Sequence, residues 1–188
     1  MKITTILGSP RKRGNTAKVL GLFEELVAGD HAVDRIDVAS SEVNGCLGCD
    51  ACQKVTDAPG CVQKDEAVPI FGRMLAADVI VYATPLYCWG FSAQMKALLD
   101  RHYCLVTGYL TPEYNSLLRG KRVALLVTCA EGIEDNADLI QVVFDRLNDY
   151  SKSDVVGKYI VPFCTTPDSM GPEGMETARR MVSDIMGG

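Results

Sequence analysis

The sequence offers little positive charge and no long apolar run. Its 19 Lys and Arg residues are outnumbered by 24 Asp and Glu, which gives a formal net charge of −5. No basic tract or stripe is present, so a nucleic-acid partner is not expected. No apolar stretch reaches the roughly 18 residues that a membrane-spanning helix requires. The N-terminus enters a strand-like segment without a signal-peptide pattern, and a cytoplasmic location is the expectation.

What is present is typical of a globular α/β protein. The chain has 188 residues, of which 47% are hydrophobic and 23% charged. This length and composition suit one domain with a substantial core, spanning residues 1–188.

Strand-like and helix-like segments alternate five times along the chain. The predicted strands are 2–7, 32–38, 79–83, 122–128 and 155–163. The predicted helices are 15–29, 65–76, 92–101, 133–150 and 172–185. Asn15 is the predicted N-cap of the first helix and Gly29 its terminator, whereas residues 102–119 are predicted to be irregular.

Three of the predicted strands are continuously apolar, as in parallel sheets covered on both faces by helices. With right-handed crossovers, the pattern predicts a three-layer, doubly wound, five-stranded parallel sheet. In such a fold a ligand lies in the crevice outside the carboxyl ends of the strands. The loops after strands one, three and four are therefore the first places to look for a site.

The loop after strand one is suited to bind an anion. It reads Gly8-Ser9-Pro10-Arg11-Lys12-Arg13-Gly14-Asn15-Thr16. It combines hydroxyls, an amide and cations with the positive end of a helix. The dinucleotide motif G-x-G-x-x-G is absent, and Asn15 stands where a P-loop would place lysine. A mononucleotide phosphate is the ligand that remains.

The loop after strand three is rich in aromatic and turn residues. Pro85 and Gly90 restrict its shape, so that backbone amides can approach the edge of a ligand. Tyr87, Trp89 and Phe91 can offer flat apolar surface to a ring, although helix packing would use the same residues.

Eight cysteines are many for a chain expected in a reducing compartment, where disulfides are rare. Four are clustered, as Cys46, Cys49, Cys52 and Cys61. Their spacing is similar to the start of a ferredoxin motif and suggests a possible [4Fe–4S] cluster; zinc, or cysteines without metal, stay open. The scattered cysteines, among them Cys104 and Cys129, are interpreted as small buried hydrophobes.

These loops together resemble those of the NAD(P)H-dependent FMN reductase and iron-sulfur flavoprotein family, which has a flavodoxin-like fold. The resemblance is carried by G-S-P-R-K-x-G-N-T after the first strand and A-T-P-x-Y-x-x-G-x-S-A-x-x-K-x-x-x-D-R after the third. It implies an FMN site formed by Ser9, Arg11, Gly14, Asn15, Thr16, Pro85, Leu86, Tyr87, Cys88, Trp89, Gly90, Thr128 and Gly132. Glu131 and the long gap before Cys61 depart from the family pattern. Lys96, Asp100 and Arg101 are expected to be structural or to lie at a dimer interface.

The resemblance implies an oxidoreductase that passes electrons from NAD(P)H to a quinone, a flavin, a metal ion or another small-molecule or protein acceptor. The flavin carries that chemistry, so no catalytic residue is assigned. His31 is interpreted as solvated and His102 as a packing or surface residue. The alternatives are an electron carrier that couples FMN to a [4Fe–4S] cluster, and a phosphate-binding module without redox chemistry. A homodimer or homotetramer is also implied, with residues 102–119 covering a neighbour's site.

Overall fold

A computed structural model describes residues 1–166 and 170–187; the predicted domain also takes in residues 167–169 and 188, which lie outside the described residues. The long strands are β1 (Lys2–Leu7), β2 (Ala32–Asp37), β3 (Val79–Pro85), β6 (Arg122–Thr128) and β7 (Asp154–Val161). Two short strands are β4 (Val106–Thr107) and β5 (Asn115–Ser116). The helices are α1 (Asn15–Val27), α2 (Ala67–Leu75), α3 (Ala93–Asp100), α4 (Asp138–Ser151) and α5 (Glu173–Met186).

The five long strands form one parallel sheet in the order β2-β1-β3-β6-β7. The strand order reverses direction at β1, so the loops after β1 and β3 leave adjacent strands toward opposite faces of the sheet. This point is where doubly wound proteins of this strand order bind their ligands. The predicted flavodoxin-like α/β fold is confirmed.

Helices cover both faces of the sheet. Side chains alternate between the faces along a strand, so Ile3 and Leu7 of β1 pack with α1 and α5. Ile6, between them, packs into the opposite layer with α2, α3 and α4. The central strand β3 is buried along its whole length, which explains its continuously apolar sequence.

Several predicted boundaries were wrong. Gly14, not Asn15, is the N-cap of α1, and the helix ends at Val27 with Ala28 as its C-cap, before Gly29. The predicted helix at 133–150 begins as a regular helix only at Asp138, because Asp135 has a φ of 56° and interrupts the first turn.

The segment predicted as irregular, 102–119, contains more structure than expected. A 3₁₀ helix covers Arg101–Leu105, and β4 and β5 then pair antiparallel through Val106 and Ser116. None of the helices in the described part of the chain is long and apolar enough to span a membrane.

Candidate functional site: a cleft at the sheet edge and a cysteine-lined cavity

A cleft of about 730 Å³ opens at the carboxyl edge of the sheet. It lies where the loops after β1, β3, β6 and β7 converge. Its lining residues are Ser9, Arg11, Gly14, Asn15, Thr16, Pro85, Leu86, Tyr87, Thr128, Cys129, Ala130, Cys164 and Thr165. The anion-type loop and the aromatic loop, far apart in sequence, therefore share one cavity.

The loop after β1 brings the N-terminus of α1 to this cleft. The buried Ser9 hydroxyl accepts a hydrogen bond from the backbone N–H of Arg11 at 3.1 Å, which folds the loop back on itself. The N-cap of α1 is Gly14, which has no side chain to cap the helix, and the first turn of α1 contains no acidic residue. The positive end of the helix dipole is thus left for an anionic ligand.

Gly8 is required by close packing at the start of this loop. A Cβ there would lie 2.7 Å from Cβ of Met95 and 3.1 Å from Oγ of Ser92, the N-cap of α3. The Ser92 hydroxyl donates to the carbonyl of Gly8 at 2.6 Å and accepts from the N–H of Met95 at 3.2 Å. Helix α3 is therefore attached directly to the wall of the cleft.

Two polar side chains of α1 tie the cleft to β6 and β7. Nδ2 of Asn15 donates to the carbonyl of Thr166 at 3.0 Å, while its Oδ1 is buried and has no partner among the described residues. The hydroxyls of Thr16 and Thr128 lie 2.7 Å apart and share a buried hydrogen bond. A buried acceptor without a partner costs free energy, so Oδ1 of Asn15 is suited to a donor group of a ligand.

The loop after β3 forms a two-residue reverse turn. Tyr87 and Gly90 exchange backbone hydrogen bonds of 3.1 and 3.0 Å, and Cys88 and Trp89 between them have φ values of 48° and 60°. Two consecutive positive φ values identify a type I′ turn, which usually contains Asn and Gly. Cys88 and Trp89 are thus held in a conformation that their side chains disfavour.

A second, shallower cavity of about 640 Å³ adjoins the cleft and shares Leu86 and Ala130 with it. The rest of its lining comes from the strained turn and from the segment after β6: Cys88, Trp89, Glu131 and Asn136. We call this space the side cavity.

Residues 41–64, which we call the cysteine segment, border a separate cavity of about 310 Å³. All four clustered cysteines line it, and Cys104, from the 3₁₀ helix after α3, lines it as well. The backbone N–H of Gly48 donates to Sγ of Cys46 at 3.4 Å, in a tight turn where Gly48 has a φ of 62°. The four clustered thiols thus border one space. No group of three or more His, Cys, Asp or Glu in residues 1–166 and 170–187 is arranged to hold a metal ion.

A buried ion pair holds the cysteine segment on the body of the protein. The guanidinium of Arg101 donates to both carboxylate oxygens of Asp65, at 2.8 and 3.1 Å, and to the carbonyl of Asn44 at 2.9 Å. The side chains of Arg101 and Asp65 are only 1% and 2% exposed. Burial alone raises the pKa of Asp65, but the hydrogen bonds from Arg101, Asn44 and Ala67 outweigh it and hold this pKa at about 2. Arg101 is therefore structural, as expected.

Two glutamines complete the attachment. Nε2 of Gln53 donates to the carbonyls of Tyr103 and Val106, at 3.1 and 3.0 Å. Nε2 of Gln63 donates to the carbonyl of Gly45 at 3.0 Å, joining the two ends of the segment.

Most of the predicted flavin-site residues meet in the cleft. Cys88 and Trp89 line the side cavity instead, whereas Gly90 and Gly132 line neither space. Phe91 packs against the core rather than offering a surface to a ring.

Cys129 and Cys164 are the cleft residues that sequence reasoning interpreted as core. Cys129 directly follows β6 and Cys164 lies three residues beyond β7; these positions could have indicated them, because both strands end at the same edge. Burial raises the pKa of the Cys129 thiol to about 11 and also raises that of Cys164, so both thiols stay protonated at neutral pH.

His102 is a buried packing residue. Its ring contacts Phe71 edge-on, with centroids 5.6 Å apart, and neither ring nitrogen has a hydrogen-bond partner among the described residues. Burial lowers the pKa of His102 to about 4, so the imidazole is neutral at pH 7. His31 is half-exposed, and its Nδ1 lies 3.3 Å from the N-terminal nitrogen.

Comparison with known proteins identifies the family of this chain. Residues 1–144 match the family model of the NADPH-dependent FMN reductases. The chain therefore belongs to the NADPH-dependent FMN reductase family, and it is an NAD(P)H-dependent oxidoreductase that uses FMN.

Among proteins similar in sequence are iron-sulfur flavoproteins. One from Archaeoglobus fulgidus is 29% identical over 186 residues, covering 98% of this chain and 79% of that protein. Another, from Methanosarcina thermophila, is 41% identical over 107 residues, covering 56% of this chain and 54% of its own length. With the second protein the similarity thus extends over about half of each chain.

Among solved structures, the NAD(P)H:quinone oxidoreductase from Methanothermobacter marburgensis superposes with a TM-score of 0.74 at 18% identity, covering 98% of this chain and 96% of that one. An azoreductase from Bacillus anthracis superposes with a TM-score of 0.69 at 17% identity, covering 96% and 98%. At these identities the two structures establish the fold.

Proposed function

We propose that this chain binds FMN in the cleft between the loops after β1 and β3 and passes electrons from NAD(P)H to a small-molecule or protein acceptor. The observation that carries the proposal is that an anion-type loop and an aromatic loop, far apart in the sequence, line one cavity at the topological switch point.

In this proposal the phosphate lies at the N-terminus of α1, against Ser9, Arg11, Gly14, Asn15 and Thr16. The backbone N–H groups of α1 and the guanidinium of Arg11 supply the charge complementarity. The segment from Pro85 to Gly90, together with Thr128 and Gly132 after β6, would hold the ring.

FMN, when bound, supplies a ring that takes two electrons from a nicotinamide and returns them to an acceptor. The residues of the chain bind and orient it. Neither Cys129 nor Cys164 supplies a thiolate to the cleft, since both stay protonated at neutral pH.

Titration of flavin-free protein with FMN tests this proposal. Arg11→Ala should weaken FMN binding about tenfold, the size expected for one charged hydrogen bond. Arg13→Ala is the matched control, because Arg13 is an exposed cation of the same loop that does not line the cleft. Equal loss in both variants, or no FMN uptake by the wild type, contradicts the proposed site.

The second candidate function is that of an iron-sulfur flavoprotein, in which a [4Fe–4S] cluster exchanges single electrons with FMN. The convergence of Cys46, Cys49, Cys52 and Cys61 on one cavity favours it. Iron and acid-labile sulfide should be measured on protein purified without oxygen. Cys49→Ser should lower the iron content and Cys88→Ser should not; zinc, or no metal, in the wild type contradicts the cluster.

We also propose that the chain is a cytoplasmic homodimer or homotetramer, as the family resemblance implies. Light scattering coupled to size-exclusion chromatography tests the oligomeric state, and a monomer at all concentrations contradicts it.

A further inference from the structure

We propose that a cavity lined by three tyrosines, at the edge of the sheet opposite the cleft, binds a flat aromatic ring that carries an anionic group such as a carboxylate, sulfonate or phosphate. We call this space of about 520 Å³ the tyrosine cavity. Its lining residues are Tyr109, Tyr114, Arg146, Asp149, Tyr150 and Lys152. The inference goes beyond the proposed function, because none of these residues lines the cleft, the side cavity or the cavity of the clustered cysteines.

The tyrosine cavity lies at the amino ends of β6 and β7. The backbone N–H of Gly120, two residues before β6, donates at 2.8 Å to the carbonyl of Lys152, two residues before β7. Tyr109 and Tyr114 come from the loop between β4 and β5, and the other lining residues come from the last turns and the C-cap of α4. A ligand here would therefore occupy a site separate from the flavin cleft, which lies at the carboxyl edge.

The three phenol rings provide the apolar surface. The ring of Tyr109 packs edge-on against Tyr150, with centroids 5.1 Å apart, and edge-on against Tyr114, with centroids 5.8 Å apart. Tyr109 nevertheless stays 52% exposed. Burial raises the pKa of Tyr150 to about 12 and also raises that of Tyr114, so these phenols are uncharged at neutral pH. A half-exposed ring held by two others can stack on a planar ligand without repelling an anion.

The charged residues of the cavity are two cations, Arg146 and Lys152, and one carboxylate, Asp149. In residues 1–166 and 170–187 neither cation forms an ion pair, whereas Arg73 and Arg101 are each paired with an aspartate. The whole chain has a formal net charge of −5, so a cavity with an excess of cations stands out against it. A guanidinium without a partner can donate two parallel hydrogen bonds to a carboxylate or phosphate.

The C-terminal carbonyls of α4, which would oppose an anion, already have donors. The Tyr114 hydroxyl donates to the carbonyl of Tyr150, and the Ser116 hydroxyl donates to that of Ser151 at 2.5 Å. Lys152 follows with a φ of 56°, in the left-handed conformation that glycine usually takes at the end of a helix. Its Nζ lies 5.4 Å from the ring centroid of Tyr114, so the ammonium is placed beside the aromatic surface.

Isothermal titration calorimetry of FMN-loaded protein with three probes tests the class of ligand. Naphthoate is a flat aromatic anion, naphthamide is its neutral counterpart, and acetate is an anion without a ring. We expect naphthoate to bind at one site per chain, naphthamide to bind about tenfold more weakly, and acetate to give no measurable heat. Absence of saturable naphthoate binding, or equal affinity for naphthamide, overturns the proposal.

Charge substitutions test whether this binding occurs in the tyrosine cavity. Arg146→Gln should weaken naphthoate binding about tenfold and leave naphthamide unchanged, whereas Asp149→Asn should strengthen naphthoate binding about threefold at low salt. Arg179→Gln is the matched control, since Arg179 is an exposed arginine of α5 outside the cavity. Equal loss in the two arginine variants, or weaker binding in Asp149→Asn, overturns the assignment.

Tyr109→Phe and Tyr109→Ala test the stacking surface. Tyr109→Phe should keep naphthoate affinity within about twofold and Tyr109→Ala should weaken it about tenfold, with FMN affinity unchanged in both because Tyr109 does not line the cleft. Unchanged naphthoate affinity in Tyr109→Ala overturns the stacking role. A chain that fails to take up FMN contradicts the proposed function, whereas a chain that binds FMN but not naphthoate contradicts this inference alone.

Discussion

The cleft and the cysteine cavity are built in opposite ways. The walls of the cleft are the ends of β1, β3, β6 and β7, whose backbones are fixed by the hydrogen bonds of the sheet. The cysteine segment has no strand and one 3₁₀ turn, Ala51–Lys54. Its position depends on single side chains, above all on Arg101.

The difference shows that the geometry of a site can be fixed by the backbone hydrogen bonds of a sheet or by the contacts of individual side chains. Many backbone hydrogen bonds hold the cleft, so a single side-chain substitution there should change ligand binding more than structure. In the cysteine cavity the loss of one such side-chain contact should displace several thiols together.

The substitution Arg101→Leu should produce the largest effect. It leaves the Asp65 carboxylate buried without its cation, which typically costs about 3–5 kcal/mol. Urea unfolding should show this loss, and iron analysis should show that the proposed iron-sulfur cluster is lost as well. Lys96→Leu breaks the exposed Lys96–Asp100 pair and should change stability by no more than about 0.5 kcal/mol. Equal effects of the two substitutions would mean that the buried Arg101–Asp65 pair does not hold the cysteine segment in place.

His102 should make the core beneath the cysteine segment sensitive to acid. Its pKa is about 4 in the folded protein and about 6.5 when unfolded, so the unfolded chain binds the proton more tightly. Above pH 6.5 the protonation of His102 therefore does not lower the free energy of unfolding. As the pH falls from 6.5 to 4, this free energy should decrease by up to about 3 kcal/mol. Unfolding curves at several pH values should show this slope in the wild type and in His31→Gln, and a flatter one in His102→Phe.

Thr128→Val tests whether the cleft tolerates the loss of a side-chain link. It removes the partner of the buried Thr16 hydroxyl and should cost about 1–2 kcal/mol. Iron content should remain at the wild-type level, in contrast to Arg101→Leu. A double-mutant cycle with Thr16→Val measures the coupling, and additive losses would show that the two hydroxyls do not interact.

Replacing Cys88-Trp89 by Asn-Gly should give the smallest effect, an increase of about 1 kcal/mol in the free energy of unfolding. Asn and Gly adopt positive φ values with little strain, whereas Cys88 and Trp89 do not. Thermal unfolding measures the gain, and Cys88→Ser, which keeps the strain, is the control. An unchanged or lower Tm in the Asn-Gly variant would show that the turn stores no strain.

The layered fold and the position of the cleft could be predicted because local rules decide them. Continuous apolar runs such as β3 identify buried parallel strands, and such strands place their following loops at one edge. The start of α4 could not be predicted, since the apolar periodicity continues through Ile133 while Asp135 turns the backbone out of the helix.

The contacts that hold the cysteine segment could not be predicted for a different reason. Asp65 and Arg101 are 36 residues apart and meet only through tertiary packing. The type I′ turn could not be predicted either, because the sequence Cys88-Trp89 is not the Asn-Gly pair that is typical of such turns. Cys164 was missed because the search for a site covered the loops after strands one, three and four, and the loop after the fifth strand was left out.

Helix α3 joins these two differently built regions. Ser92 at its start is bonded to Gly8 in the cleft wall, and Arg101 just beyond its end holds the cysteine segment. Eight residues at about 1.5 Å per residue give a rigid spacer of roughly 12 Å. Helix α3 thus contributes directly to the separation between the cleft and the cysteine cavity, so lengthening or shortening it by a turn should change that distance.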